Sequence, residues 1–285
     1  MATFDVTPGF GDDEALADNQ NYSQDHSQDH NQDSSEDGSG SRSFTPFSFP
    51  RGPRAGVALH TLLEYFDFTR SAEDQLPLIT QCLDRIGLLE NRADWTRTLE
   101  NWLSDIVTTP LVDGVTLEQV EAGMRLDEME FHFPLATDNS MLQLLQSNGY
   151  LDEAVRPNLT QLSGMMTGLI DLVFAHGGRF YIVDYKSNYL GNTATHYETL
   201  ALQQAIKHHQ YDLQYLIYCV ALTRYLRNRV PDYRYETHFG GVFYLFLRGM
   251  QGVGTASASN TTGVFFDRPD EAFLARLDQI MGDAR

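Results

Sequence analysis

Between Gly168 and Lys186 the chain reads GLIDLVFAHGGRFYIVDYK, two apolar, β-prone runs separated by Gly177-Gly178. A Gly-Gly pair accepts the positive φ angles of a two-residue hairpin turn, so the runs are expected to fold back as antiparallel strands. That turn pairs His176 with Arg179. Counting back along both strands then places Asp171 opposite Asp184. Side chains alternate along a strand, so Asp184 and Lys186 share a face, and Asp171 lies on the same face in this register.

The arrangement costs energy as it stands. Directly opposed residues hold their Cβ atoms about 4.5–5.5 Å apart. Two carboxylates about 5 Å apart repel by about 3 kcal/mol at an effective dielectric of roughly 20. A divalent cation turns that repulsion into attraction, and hard cations such as Mg²⁺ take oxygen ligands while keeping water and phosphate as the others. The alternative reading is a different pairing with one Asp at a sheet edge. Lysine usage adds a second hint. Of 20 basic residues 18 are Arg, and the two lysines are Lys186 and Lys207. Lys is a compact charge whose pKa moves readily on burial, unlike Arg.

An Asp followed on the next strand by Asp-x-Lys, here Asp171 and then Asp184-Tyr185-Lys186, resembles the PD-(D/E)xK nuclease superfamily. Four ordered blocks make the match closer: GLIDLVF, IVDYKSNYLG, HHQYDLQYLIY and HFGGVFYLFLRG. Together they are similar to the C-terminal nuclease domain of the RecB subunit of bacterial RecBCD, from about Phe44 to near the C-terminus. One departure is Ile170, which precedes Asp171 where the superfamily name has a proline.

The resemblance implies a restriction-endonuclease-like α/β core, a mixed central sheet flanked by helices, with an N-terminal helical lobe. It implies Mg²⁺-dependent hydrolysis of DNA phosphodiesters in double-strand-break processing and recombination. Asp171, Asp184 and His60 would bind the metal, together with the backbone carbonyl of Tyr185. One or two ions would act, Mn²⁺ would substitute, and Ca²⁺ is expected to inhibit. Lys186 would position the attacking water or stabilise charge on the phosphorane-like transition state. Gln214 and Tyr218 match a Gln and a Tyr that lie near the active site in the family. The implied partners are single-stranded DNA or duplex ends, RecC-like and RecD-like subunits, a helicase and RecA. The competing reading is a non-catalytic nuclease fold kept for docking in a recombination complex. The complete set of His60, Asp171, Asp184 and Lys186 argues against such decay.

Read without the resemblance, several of these residues have bland alternatives. His60 flanks a helical stripe of Leu59, Leu62, Leu63 and Phe66, where a hydrogen-bonded packing histidine is the common case. Glu64, one turn on, is its expected outer partner. Tyr211, Gln214, Tyr215 and Tyr218 recur at helical spacing, and buried tyrosines ordinarily satisfy their hydroxyls. Glu130, in EMEFHFPL, opens the strand before the hairpin and either points to the site or is structural. Arg224, Arg227, Arg229 and Arg234 either guide a strand or form a solvated helix end, and the solvated end is favoured.

Residues 1–42 are polar and repetitive, with ten acidic residues and one basic. Such a segment buries too little surface to offset its ordering entropy and is expected to be a disordered acidic tail. His26 and His30 within it are not expected to bind metal. Residues 43–285, the expected nuclease domain, keep 29 acidic and 19 basic residues, a net of −10. About 240 residues suit one α/β domain with a helical lobe. Helices are expected near 54–66, 73–87, 92–107, 195–208, 210–229 and 269–281, and strands near 127–134 and 240–249. Cys82 and Cys219 are the only cysteines. That excludes the four-Cys iron–sulfur cluster of some relatives within one chain, and points to reduced thiols and a cytoplasmic setting. No GxxxxGK[ST] loop is present, so no ATP site is expected here, and the implied helicase lies outside this sequence. No run of 18 apolar residues suggests a membrane span.

Overall fold

The computed structural model describes residues 2–5, 43–136, 139–151, 163–252 and 261–282. In chain order the elements are β1 (Ala2–Asp5), α1 (Pro53–Tyr65), α2 (Leu76–Ile86), α3 (Arg92–Thr108) and β2 (Arg125–Ala136). There follow α4 (Asn139–Ser147), β3 (Ser163–His176), β4 (Arg179–Lys186), α5 (Thr199–His208) and α6 (Tyr211–Arg229). The last are α7 (Tyr235–His238), β5 (Phe239–Phe246), β6 (Val264–Asp267) and α8 (Glu271–Ile280). Helices and strands fall close to their expected ranges. Beyond them lie α4, inside what reads as a polar connection, the short α7 and β6. Ala2–Asp5, at the start of the expected tail, pairs with the sheet. Residues 6–42, with His26 and His30, lie outside the described residues.

One mixed sheet organises the domain, in the order β1-β3-β4-β5-β6, with β2 paired to β3 from the other side. β1 pairs in parallel with Gly164–Thr167, and β4 pairs antiparallel with Leu172–His176. The two therefore lie end to end along one edge of β3. The turn that joins β3 to β4 is Gly177-Gly178, with φ of 57° and 79°. β4 and β5 run parallel, with Asp184 level with Tyr244 and Lys186 with Phe246. At the opposite end of β5 a Cβ on Gly240 would lie 2.3 Å from the Tyr181 ring, so that position takes no side chain without moving Tyr181.

Both faces of the sheet are covered, as the unbroken apolar run of β5 requires. Phe243 and Leu245 pack with Leu172, Phe174, Tyr181, Val183 and Tyr185 against the lobe of α1, α2 and α3. Val242, Tyr244 and Phe246 pack with Ile170, Val173 and Ile182 against α6, α4 and α8. α6 is buried nearly all round, as a helix wedged between a sheet and other helices must be. Near its C-terminus Arg224 and Arg227 both bind Asp278 of α8, at 2.6 and 2.7 Å. This corrects the solvated-end reading for Arg224, whose side chain is 11% exposed; the apolar faces of α6 and α8 draw the ion pair in with them. Cys82 is buried in the lobe and Cys219 in the α6 layer.

Candidate active site

The hairpin pairs in the expected register, from His176↔Arg179 to Leu172↔Val183. At the next step the ladder gives way to a side-chain contact. The Tyr185 N–H donates to Asp171 Oδ2 at 2.7 Å, so Asp171 is tied to the Asp184-Tyr185 peptide of the facing strand. Asp184 and Lys186 emerge on the α6 face, and Lys186 Nζ lies 2.6 Å from Asp184 Oδ2. His60 arrives from α1 and places Nδ1 3.5 Å from Asp171 Oδ2, with its ring edge-on to Tyr185. The carboxylate beside His60 Nδ1 is that of Asp171.

The first turns of α6 close the site from above. Lys186 Nζ donates to Gln214 Oε1 at 3.2 Å, and the Tyr244 hydroxyl donates to the same oxygen at 2.7 Å. Gln214 Nε2 donates to the Tyr218 hydroxyl at 2.9 Å. Gln214 and Tyr218 therefore form a relay behind the lysine. Tyr211 lies under the ammonium, with Nζ 4.0 Å from its ring centroid, a cation–π contact in a buried setting.

Sequence reasoning missed one acidic neighbour. Glu130 is exposed and pairs with His132 at 3.0 Å, so it does not reach the site. Glu128 does. It sits between the pairs Asp127↔Leu172 and Met129↔Ile170, at the level of Asp171, with a left-handed φ of 51°. That backbone kink breaks the alternation of β2, which is why a count along the strand does not find it. The signal available in the sequence was a second Glu two residues before Glu130.

The electrostatics follow from burial with too much negative charge. Burial pushes the Asp184 carboxyl up to about 6, with Lys186 opposing and Asp171 adding to the rise. Burial, then Asp171 and Glu64, push Glu128 up to about 7. Burial also works against ionised Asp171, but His60 and the Tyr185 N–H outweigh it and hold that carboxyl below its usual range. Burial would lower His60, yet Asp171 outweighs it and raises the imidazole. In the same way Asp184 outweighs burial and keeps Lys186 above the ordinary lysine range.

Among the described residues no three His, Cys, Asp or Glu side chains already converge as a metal cage. Asp184 is engaged by Lys186, and Asp171 by the Tyr185 N–H. The donor chemistry nevertheless fits a hard divalent cation. Carboxylates and an imidazole meet within one buried cluster, and two of the carboxyls are held above their ordinary pKa chiefly by burial, with the neighbouring Asp171 adding to the rise.

Comparison with known proteins agrees with this geometry. The family model of the PD-(D/E)XK nuclease superfamily matches residues 38–283. The chain is 37% identical over 243 residues to RecBCD enzyme subunit RecB of Escherichia coli K12, covering 84% of this chain and 20% of that one. It is 39% identical over 241 residues to the RecB subunit of Haemophilus influenzae, covering 81% and 18%. Against the RecB subunit of Mycobacterium tuberculosis the figures are 35% over 206 residues, 64% and 19%. The chain spans about a fifth of the length of these curated relatives. No helix among the described residues is long and apolar enough to cross a membrane. A hairpin that carries Asp171 and Asp184-Tyr185-Lys186, set in a mixed sheet with His60 beside it and matched over most of its length, makes this chain a RecB-like member of the PD-(D/E)XK nuclease superfamily.

Proposed function

We propose that the domain is a Mg²⁺-dependent deoxyribonuclease that hydrolyses phosphodiester bonds. The observation that carries the reading is the buried cluster in which Asp184 and Lys186 meet Asp171 and His60 at the end of β4. His60, Asp171, Asp184 and the Tyr185 carbonyl would hold the ion, with Glu128 as a further acidic group. Bound there, Mg²⁺ or Mn²⁺ supplies a Lewis acid for the scissile phosphate and lowers the pKa of a coordinated water.

The protein groups do the rest. Lys186, freed in part from Asp184, directs its ammonium at the attacking water or at charge developing on phosphate oxygens. Gln214 fixes the lysine by accepting one of its protons, and Tyr218 and Tyr244 fix Gln214. The relay limits the positions Nζ can take, which is where a positioned cation gains over a solvated one. The lobe over Tyr185 excludes water from one side of the site.

The domain carries a net charge of −10 over residues 43–285, opposite to the basic excess of a self-sufficient DNA binder. Efficient degradation then depends on RecC-like and RecD-like subunits and a helicase that deliver the strand at high effective concentration, in a cytoplasmic complex that acts in double-strand-break processing and recombination. Neither the site nor the relatives' names support a role for RecA.

The test is digestion of labelled linear single-stranded and duplex DNA by the chain, with Mg²⁺, Mn²⁺, Ca²⁺ or chelator, beside Asp184→Ala. Cleavage that needs Mg²⁺ or Mn²⁺ and Asp184 supports the reading. Failure of the parent chain under every metal, with and without the partner subunits, returns the fold to a docking role. Affinity for single-stranded DNA in Ca²⁺ across a salt series tests partner dependence, and nanomolar binding at physiological salt would overturn it.

A further inference from the structure

Arg248 takes no part in the cluster described above, yet it is only 2% exposed. It lies two residues beyond the end of β5. Its Nε donates to the Ser187 carbonyl at 2.8 Å. Nη1 donates to the carbonyls of Pro46 and Phe49 at 2.7 and 2.9 Å, and Nη2 to that of Pro50 at 2.8 Å. The guanidinium therefore holds two distant segments. One, Pro46–Pro50, leads through Gly52 into α1, the helix of His60. The other begins immediately after Lys186.

The chemistry of the junction explains the residue type. A short 3-10 turn at Pro46–Ser48 leaves carbonyls without helical donors, and a buried carbonyl left unpaired is costly. A planar guanidinium offers five N–H groups along two edges, whereas a lysine offers three from one point. The surroundings are braced as well. Trp102 Nε1 donates to the neighbouring Leu247 carbonyl at 2.7 Å. A Cβ on Gly249 would lie 2.2 Å from the Tyr197 Cβ, so the chain cannot slide past this point.

We propose that Arg248 is a positioning residue that sets the place of His60 relative to Asp171 and Asp184, by clamping the entry of α1 to the end of β4. The His60–Asp171 contact is 3.5 Å, at the outer limit of a useful hydrogen bond, so drift of another ångström ends it. The effect on cleavage rests on the nuclease reading; the effect on His60 does not.

Arg248→Lys is compared with Trp102→Phe, which loosens the same packing but leaves the clamp intact. The readouts are the melting temperature, the imidazole ¹⁵N and ¹H resonances of His60 without metal, and kcat and KM for DNA cleavage. Arg248→Lys is expected to fold, to move the His60 ring signals while leaving those of exposed His132 in place, and to lower kcat about 100-fold with little change in KM. Trp102→Phe is expected to lower the melting temperature and change neither the His60 signals nor kcat. Unmoved His60 signals in Arg248→Lys, or an equal shift in Trp102→Phe, overturn the clamp. Should Arg248→Lys fail to fold, Arg248→Ala is refolded with guanidinium ion below denaturing concentration. Recovery of the parent His60 signals then supports the clamp, and their absence overturns it. A parent chain that cleaves nothing sinks the nuclease reading, while the His60 signals still decide the clamp.

Discussion

Helix α6 has a charge cluster at each end, and each contains a buried Asp paired with a cation at 2.6 Å. At the far end Asp278 serves two arginines, and Arg224 also donates to the Asp278 backbone carbonyl. The carboxylate there is matched on both oxygens by rigid, always-charged groups, and the cluster pins α8 to α6. At the near end Asp171, Asp184 and Glu128 share one lysine and one histidine. That cluster holds more carboxyls than cations, and burial first, with Asp171 adding to it, raises the carboxyls of Asp184 and Glu128. Buried charge by itself therefore does not mark a site in this molecule. What sets the near cluster apart is several carboxyls gathered around one lysine and one histidine.

The largest effect expected is on the near cluster. Asp184→Ala or Lys186→Ala should lower Mg²⁺-dependent cleavage by about 10³-fold or more while circular dichroism stays that of the parent, since each removes a group acting at the phosphate. Parent-like activity in either variant would make the two clusters alike and sink the assignment.

Next comes the far cluster. Asp278→Ala strands Arg224 among buried groups and should cost about 3 kcal/mol in denaturant unfolding. Cleavage per folded molecule should be unchanged. A loss of kcat at constant stability would mean that this end, too, serves the chemistry.

A smaller effect is expected from Gln214→Ala, which removes the acceptor for Lys186 and Tyr244 without touching the carboxylates. Steady-state kinetics should show kcat down about tenfold, at the low end for a positioned proton-handling group. No change in kcat would confine Gln214 to packing.

The smallest is a pH effect. Glu128 titrates near 7 in the folded chain, above the 4.5 ordinary for a glutamate. The folded state thus holds a proton that the unfolded state has released, and stability falls as pH rises from about 4.5 to 7. Glu128→Gln removes that penalty. Without metal it should stabilise the domain at pH 8 by on the order of 1 kcal/mol, allowing for partial exposure, and have no effect below about pH 4. Thermal melts at the two pH values decide it. Equal shifts at both would mean that charge at Glu128 is not the cause.

The sequence alone settled the features that depend on neighbours along the chain. Gly177-Gly178 and the flanking alternation fixed the hairpin register, and with it the closeness of Asp171 to the Asp184-Tyr185-Lys186 end. The unbroken apolar run of β5 announced a strand covered on both faces. Helical spacing placed Gln214 and Tyr218 on one side of α6, and the four blocks carried the family. Other features needed the folded chain. Glu128 is turned into the site by a backbone angle that strand periodicity does not encode. Asp278 meets Arg224 only because the apolar faces of α6 and α8 pack together. Arg248 reaches Pro46 and Pro50 across about 200 positions of sequence, since its acceptors are main-chain carbonyls, which every residue type possesses and no sequence pattern distinguishes.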